Sequence, residues 1–596
     1  MMESFLAYRL PYGPALHKDW STLEFMRDAG VEVICFTPAN SASGIGMPYA
    51  DYPLTWRGER DYDFESLERQ IQDILAHHPR ARLLPVIDLN TPPWLTHQLG
   101  CDSFISFTEA LSNPEWKLPA LEFMRAFVGY CHERHAERMF GYIPSAGRTF
   151  EWHECHIQEP GFWKSIRYPE YCREHSWPEL PIPSCLRTGT AAHDFVRDPE
   201  SEADVIQFLR YSNALAADFA IEVVTEMRKI VSENEKIGLF YGYMQRLISH
   251  GHADSERAFD IAPPDFVVGA SCGADHTLGC SGGYAMASKT MERRDIRVLH
   301  EIDRLTVSTS LPNIQRKTWR RWTSAAETVA GLRREFGMAL INDFSTWFFN
   351  IWGQSYADPD VRRDIAQTCR IWKKFSGRSS GSRADLLLVF DPQSNDCVNC
   401  VGTPKHHRMQ GLLGNGLRDA MSKSRFGYDQ ALFNDLEHLD LGKYRMIVFQ
   451  NPTMLNDHRV KVLRDKVLTA GRTVVWGTLP GSVFNGKYVG KAYEFGAGDY
   501  TSFLPKDPSE LTGEKLRELA IKAGAHVFEP GCAHWDSREF LLLNCGSESF
   551  SGERVVTLRR EAKQVTELYS GRVIPVSNRQ FTDRFDSPDT KLYLLD

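Results

Sequence analysis

At 596 residues the chain is longer than one core supports, and at roughly 100–200 residues per domain it divides into about three units, fewer if one is a barrel of about 250 or more. Hydrophobic residues at 42% and charged residues at 24% describe a soluble globular protein and exclude a disordered chain. A net charge of -8 with no long Lys/Arg run leaves a nucleic-acid partner without support, and the lack of an apolar stretch of ~18 residues or a basic, then apolar N-terminus predicts a cytoplasmic protein with no membrane partner.

Short β-rich apolar runs alternate with helical patterns through residues 1–378, the pattern of parallel βα units. Eight runs stand at 5–9, 31–37, 82–88, 139–144, 237–243, 266–270, 296–301 and 338–343, and helices are predicted at 20–29, 64–77, 120–135, 206–232 and 324–335. Eight such units close into a (β/α)8 TIM barrel with its site at the C-terminal strand ends. The long segments 145–205 and 271–295 would build or cover that site. Small polar residues around 376–382 mark a linker. Beyond it, 384–530 reads as a flavodoxin-like α/β domain, with strands at 385–390, 446–449 and 473–476 and a helix at 409–422. No Gly-rich dinucleotide fingerprint follows its first strand, so assembly is a better role for it than nucleotide binding. Short strands at 540–544, 555–558, 564–568, 573–576 and 591–595 make 531–596 a small β-sandwich.

The strand ends supply the candidate site. Glu301 closes the seventh run, Arg297-Val298-Leu299-His300-Glu301, and Glu151 follows the fourth, in a Gly-containing turn among aromatic side chains. A retaining glycosidase needs two carboxyl groups roughly 5–5.5 Å apart, one to attack the anomeric carbon and one to protonate the leaving oxygen. Glu301 is the expected nucleophile and Glu151 the acid/base, with Glu154 its rival; apolar neighbours suit a proton donor. Asp303 and Arg304 are expected to steady the nucleophile loop, and Tyr243 or Tyr241 to donate to Glu301. Trp347 and Trp352 would floor the sugar, while Asp88, Asn90, Arg148, His300 and Asp343 would meet its hydroxyls. Tyr8, Arg9, Tyr12, Asn40, Ser271 and Asp275 also fall at strand ends. Each of these positions has a plainer role in packing, capping or a surface ion pair.

No phosphate loop or H-E-x-x-H occurs, so phosphoryl transfer and zinc proteolysis lack support. Thirteen scattered cysteines are expected to be free thiols. Neither Cys397-Val398-Asn399-Cys400 nor His153, Cys155 and His156 with Cys172 or Cys185 completes a convincing ligand set, so neither metal nor cofactor is expected.

Carboxylates after strands four and seven, together with the order barrel, flavodoxin-like domain and small sandwich, resemble the clan A glycoside hydrolases, and among them the family 42 β-galactosidases. The resemblance covers the whole chain at the level of architecture. It implies a retaining exo-β-glycosidase acting on oligosaccharides, with Glu151 as acid/base and Glu301 as nucleophile, and a homotrimer formed through the middle domain. The clan places Asn directly before its acid/base, where this chain has Phe150, and the cysteine zinc cluster of some members has no counterpart. A divergent relative is therefore expected. A β-mannosidase or other β-glycosidase of the same clan stays open, as do an inverting hydrolase and a non-catalytic carbohydrate-binding scaffold.

Overall fold

The computed structural model describes residues 2–596 except 14, 40–48, 150, 158, 245, 248–249, 271–276, 311–320, 351, 529–531 and 547–549. Asn40, Ser271 and Asp275 therefore lie outside the described residues.

Eight parallel strands close into a barrel: β1 (Leu6–Arg9), β2 (Val33–Phe36), β3 (Arg82–Asp88), β4 (Gly141–Ser145), β5 (Lys236–Leu239), β6 (Phe266–Ala270), β7 (Arg297–Ile302) and β8 (Ser345–Phe349). Every strand pairs with its neighbours in sequence, and β8 closes on β1 through Ala7 opposite Trp347. Helices cover the outer face, so the strands are apolar on both sides. Val33, Ile34, Cys35 and Phe36 are all buried. The helices start where the side chains dictate. Asp19 caps α1 (Trp20–Ala29), which ends on Gly30 at φ 90°, and Asp63 caps α2 (Phe64–His77).

The eighth strand is the one misplaced by the sequence pattern. Residues 338–343 finish a helix, α3 (Ala325–Ile341), and the strand follows at Ser345. Its last turns, from Phe336 to Ile341, are apolar because the helix is buried on two sides, against the barrel and against the C-terminal unit. At Gly337 an added Cβ would stand 2.5 Å from Leu542. A short apolar run of that kind has no period that separates strand from helix.

The second unit is a parallel sheet of β9 (Leu386–Phe390), β10 (Tyr428–Leu432), β11 (Met446–Phe449), β12 (Arg472–Trp476) and β13 (Tyr500–Phe503), in the order β10-β9-β11-β12-β13. That is the 2-1-3-4-5 order of flavodoxin-like sheets. The helix expected at 409–422 is broken around Gly414, between Pro404–Gly411 and Leu417–Lys423. Strand β10 escaped notice because it carries Asp429 and Gln430, whose burial is compensated by Lys443 and Tyr444 on Asp429 and by the Gln430 amide on the Tyr284 carbonyl.

In the C-terminal unit a five-stranded antiparallel sheet faces the strand pair Gly552–Thr557 and Gln580–Phe585. Leu541, Leu543, Val556, Phe581 and Tyr593 fill the space between the two layers. Among the described residues no helix is long and apolar enough to cross a membrane.

The start of β4 tests the barrel's closeness. A Cβ on Gly141 would meet the Lys236 backbone, 2.0 Å from its carbonyl oxygen. Gly141→Ala is expected to destabilise the protein by about 1–3 kcal/mol or more in denaturant unfolding, because backbone cannot step aside as a side chain can. A loss within about 0.5 kcal/mol, the range of a neutral surface change, would contradict that packing.

Candidate active site

Register places the two main acids at the same end of the barrel. Glu301 pairs with Ala270 on one side and Trp347 on the other, one residue before β7 ends. Glu151 stands six residues after Ser145, the last of β4. Its loop is a tight turn in which Gly147, Thr149 and Trp152 all have positive φ, and two such non-glycine residues mark stored strain. What holds the turn is Trp152, fully buried, with its indole N–H on the Pro144 carbonyl and its ring among Phe107, Phe219 and Tyr241.

Inside the barrel Arg9 reaches up from β1. Its Nη1 lies 3.3 Å from Glu301 Oε2, and its guanidinium is enclosed by the rings of Phe349, Trp347, Phe240 and Tyr12 at 4.9–5.7 Å. Burial pushes the Glu301 carboxyl well above the usual range; Arg9 opposes this, Asp303 and Glu151 add to it, and the Trp347 indole favours the charged form. At Glu151 burial pushes the carboxyl up to about 7, against a 2.5 Å hydrogen bond from Thr149 Oγ1 and with repulsion from Asp303. The two glutamates thus feel each other's charge across one mouth, and Arg9 touches Glu301 directly. Such a pair titrates jointly.

Beside Glu151 stands a histidine cluster. His153 Nδ1 is 3.7 Å from Glu151 Oε2, and its ring lies 5.0 Å from His252 and 5.7 Å from His250. Burial keeps all three neutral, His250 at about 4 and His252 at about 3. His252 Nδ1 accepts the N–H groups of Gly242 and Tyr243 and its ring stacks on Tyr243. The loop after β5 is thereby fastened beside the acid's loop.

The remaining predicted residues separate into those that reach this mouth and those that do not. Asp303 reaches it, since its charge acts on both glutamates. Trp347 lies level with Glu301, and Trp352 follows β8 at the same end. Arg148 is exposed in the acid's loop, with Nη1 3.4 Å from Cys155 Sγ. Asp88 and Asn90 are fully buried and committed. Tyr49 and the Asn90 N–H bond Asp88, while the Asn90 amide grips both polar groups of the Gly147 backbone. They brace the acid's turn rather than meet a sugar. Glu154 faces away from Glu151, and Thr108 N, Thr108 Oγ1 and His156 N occupy its oxygens at 2.5, 2.8 and 2.5 Å. His300 points out of the barrel to Glu335 on α3, and Arg304 joins the same carboxylate. Asp343 lies at the opposite barrel end, before β8, paired with Arg297 at the start of β7. Its placement follows from the misread eighth strand.

No family model matches the sequence, and no curated protein is similar to it in sequence. Solved structures do match along the whole chain. A β-galactosidase from Bacillus circulans sp. alkalophilus superposes with a TM-score of 0.63 at 11% identity, covering 100% of this chain and 99% of that one. Those from the psychrophilic Marinomonas ef1 and from Rahnella sp. R3 each give 0.58, at 9% and 11% identity, with coverage of 99% and 100% for the first and 98% and 99% for the second. The fold is that of the family 42 type β-galactosidases. At these identities the likeness extends to the three-part β-galactosidase fold alone.

Among the described residues no group of three His, Cys, Asp or Glu side chains could hold a metal ion. His156 turns to Glu159 and His153 to Glu151, so the possible ligands of that loop diverge. Every described cysteine is a free thiol. No local pattern announces the contacts of Thr149 and His153 with Glu151, or of His252 with His153, because the shape of the turn sets them.

The raised Glu151 has a measurable consequence. The folded protein keeps a proton that the unfolded chain releases between its ordinary 4.5 and about 7. The stability this proton contributes is complete below about pH 4.5 and is lost as pH rises through about 7. Glu151→Gln, which removes the buried charge, should raise the unfolding midpoint by ~1–3 °C at pH 8 and leave it unchanged at about pH 4, below both values. An equal shift at both pH values would contradict burial as the cause.

Proposed function

We propose that the protein is a retaining exo-β-glycosidase, β-galactosidase-like, that removes a non-reducing-end sugar by double displacement. What supports this above all is the meeting of Glu301 and Glu151 at one barrel mouth, with Arg9 3.3 Å from Glu301 and burial holding Glu151 up at about 7. The contact favours the anion on Glu301 against the burial that raises it, and in this reading Glu151 carries the proton that is given away.

In the first step Glu301 attacks the anomeric carbon while Glu151 gives its proton to the departing oxygen, forming a glycosyl ester and a free alcohol. In the second, Glu151 takes a proton from water as that water's oxygen displaces Glu301, which restores both groups. The carboxyl separation belonging to this route is about 5–5.5 Å, against ~6.5–9.5 Å for inversion. Trp347, level with Glu301 and fully buried, packs on the Arg9 guanidinium beside the nucleophile. The role of Glu154 is to hold the acid's loop, since its oxygens already carry three donors. A β-mannoside is the second reading, left open because Phe150 stands where the resemblance implies the amide that contacts the sugar 2-hydroxyl.

Against a panel of nitrophenyl β-galactoside, mannoside, glucoside, fucoside and arabinopyranoside, the wild type should turn over at least one, most rapidly the galactoside. Glu301→Gln and Glu151→Gln should each lower kcat/KM on that substrate by about 10²–10⁴-fold or more, while Glu154→Gln should lose stability before catalysis. Near-normal rates in the first two with loss in the third would overturn the assignment of the acid. Sugar binding by calorimetry without any hydrolysis would point instead to a scaffold. The alkaline limb of kcat/KM should fall through about 7, where Glu151 loses its proton.

A further inference from the structure

Directly behind the nucleophile, on the outer face of β7, lies a buried polar cluster that the mechanism does not use. Its centre is Glu335 on α3, fully buried. His300 Nε2 lies 2.9 Å from Glu335 Oε2, Arg334 Nη2 lies 2.7 Å and Arg304 Nε 3.4 Å from Glu335 Oε1. Burial alone would raise this carboxyl, but Arg334, Arg304 and His300 outweigh it and hold Glu335 well below the usual range. It is an anion at every working pH.

The sequence positions of its partners matter. His300 precedes Glu301 and Arg304 follows it by three residues. One carboxylate therefore grips the chain on both sides of Glu301, while Thr346 Oγ1 donates to the His300 carbonyl from the neighbouring strand at 3.0 Å. Because side chains alternate along a strand, fixing His300 outward fixes the direction in which Glu301 points inward.

The same cluster reaches the other two units. Arg334 Nη1 donates to the carbonyls of Thr277 and Cys280, in the segment 277–282 after β6. Ser422 of the second unit takes the N–H of Ser281 on its carbonyl and that of Gly282 on its Oγ, at 3.0 and 2.9 Å. Trp535 of the C-terminal unit donates its indole N–H to the Ser281 carbonyl at 2.7 Å. The continuous path runs from Glu301 through His300, Glu335 and Arg334 to Ser422 and Trp535.

We propose that Glu335 is the positioning residue for the nucleophile, acting through His300 and Arg304, and that the second and third units set its position through the segment 277–282. The inference rests on reading Glu301 as the nucleophile. Positioning partners of this kind change turnover more than binding: loss of the outer hydrogen-bond partner of a reacting group typically costs about 10–100-fold.

The test separates turnover from binding in the full-length protein. His300→Leu, which keeps bulk and removes the link, should lower kcat about 10–100-fold on the best nitrophenyl glycoside and change KM less than about 3-fold. Covalent labelling of Glu301 by a dinitrophenyl 2-deoxy-2-fluoro-β-galactoside, followed by intact mass, should slow by the same factor. His300→Gln, whose amide N–H can reach the Glu335 carboxylate, should recover most of the loss. Ser422→Ala, which removes one hydroxyl far from the mouth and carries little risk to folding, should lower kcat in the same direction by about 3-fold with KM unchanged. Full kcat in His300→Leu, failure of His300→Gln to recover it, or unchanged kcat in Ser422→Ala should His300→Leu not fold, overturns the inference while leaving the glycosidase reading intact. A wild type that is neither active on the panel nor labelled at Glu301 overturns that reading, and this inference with it.

Discussion

One guanidinium organises the mouth of this barrel. Arg9 sits among four aromatic rings, almost fully buried, and its Nη1 is 3.3 Å from Glu301. A lone cation in such a place is costly unless an anion faces it, and a lone carboxylate would take up a proton. Each makes the other tolerable. Burial raises both carboxyls; Arg9 opposes it at Glu301 by direct contact, and the Thr149 hydroxyl with the charges of Arg246 and Arg9 opposes it at Glu151. The surrounding fold keeps these groups in place, with β8 closing on β1 beside them and α3 covering the outer face of the barrel.

The second constraint is rigidity on both sides of the mouth. On the acid's side, Asn90, Trp152, Glu154 and His252 hold a strained turn through backbone contacts, which explains why polar side chains there are buried and committed. On the side of Glu301, the strand is backed by Glu335 and its three partners. Catalytic groups held by fixed dipoles lose little energy to reorganisation when charge moves. The two C-terminal units contact this scaffold through Ser422 and Trp535, so the three-part chain behaves as more than a barrel with attachments.

Much of this was readable from the sequence, and the failures share causes. Seven of the eight barrel runs fall on or beside strands because parallel strands covered on both faces are unbroken apolar stretches bounded by capped helices. The run at 338–343 failed because a helix buried on two sides has the same composition, and it carried Asp343 to the wrong end of the barrel. Strand-end position brings Glu301, Glu151 and Asp303 to one mouth, but it cannot tell which face a residue takes. His300 and Arg304 lie at a strand end and yet turn outward to Glu335, a partner 35 and 31 positions away in sequence. Nor does local sequence reveal that Thr108 occupies Glu154, 46 positions along, or that β10 can bury Asp429 because Lys443 and Tyr444 meet it. Long-range polar pairing was the part without a local signature.

Glu301 is proposed to attack the sugar while Glu151 supplies the leaving oxygen with a proton. The most direct measurement of this is azide rescue of Glu301→Ala on whichever nitrophenyl β-glycoside the wild type prefers. The account predicts an inactive variant that azide restores, with the glycosyl azide formed in the α configuration because the small anion enters from the face that Glu301 occupied. Restored turnover giving a β-azide, or an unaided Glu301→Ala as active as the wild type, would contradict it.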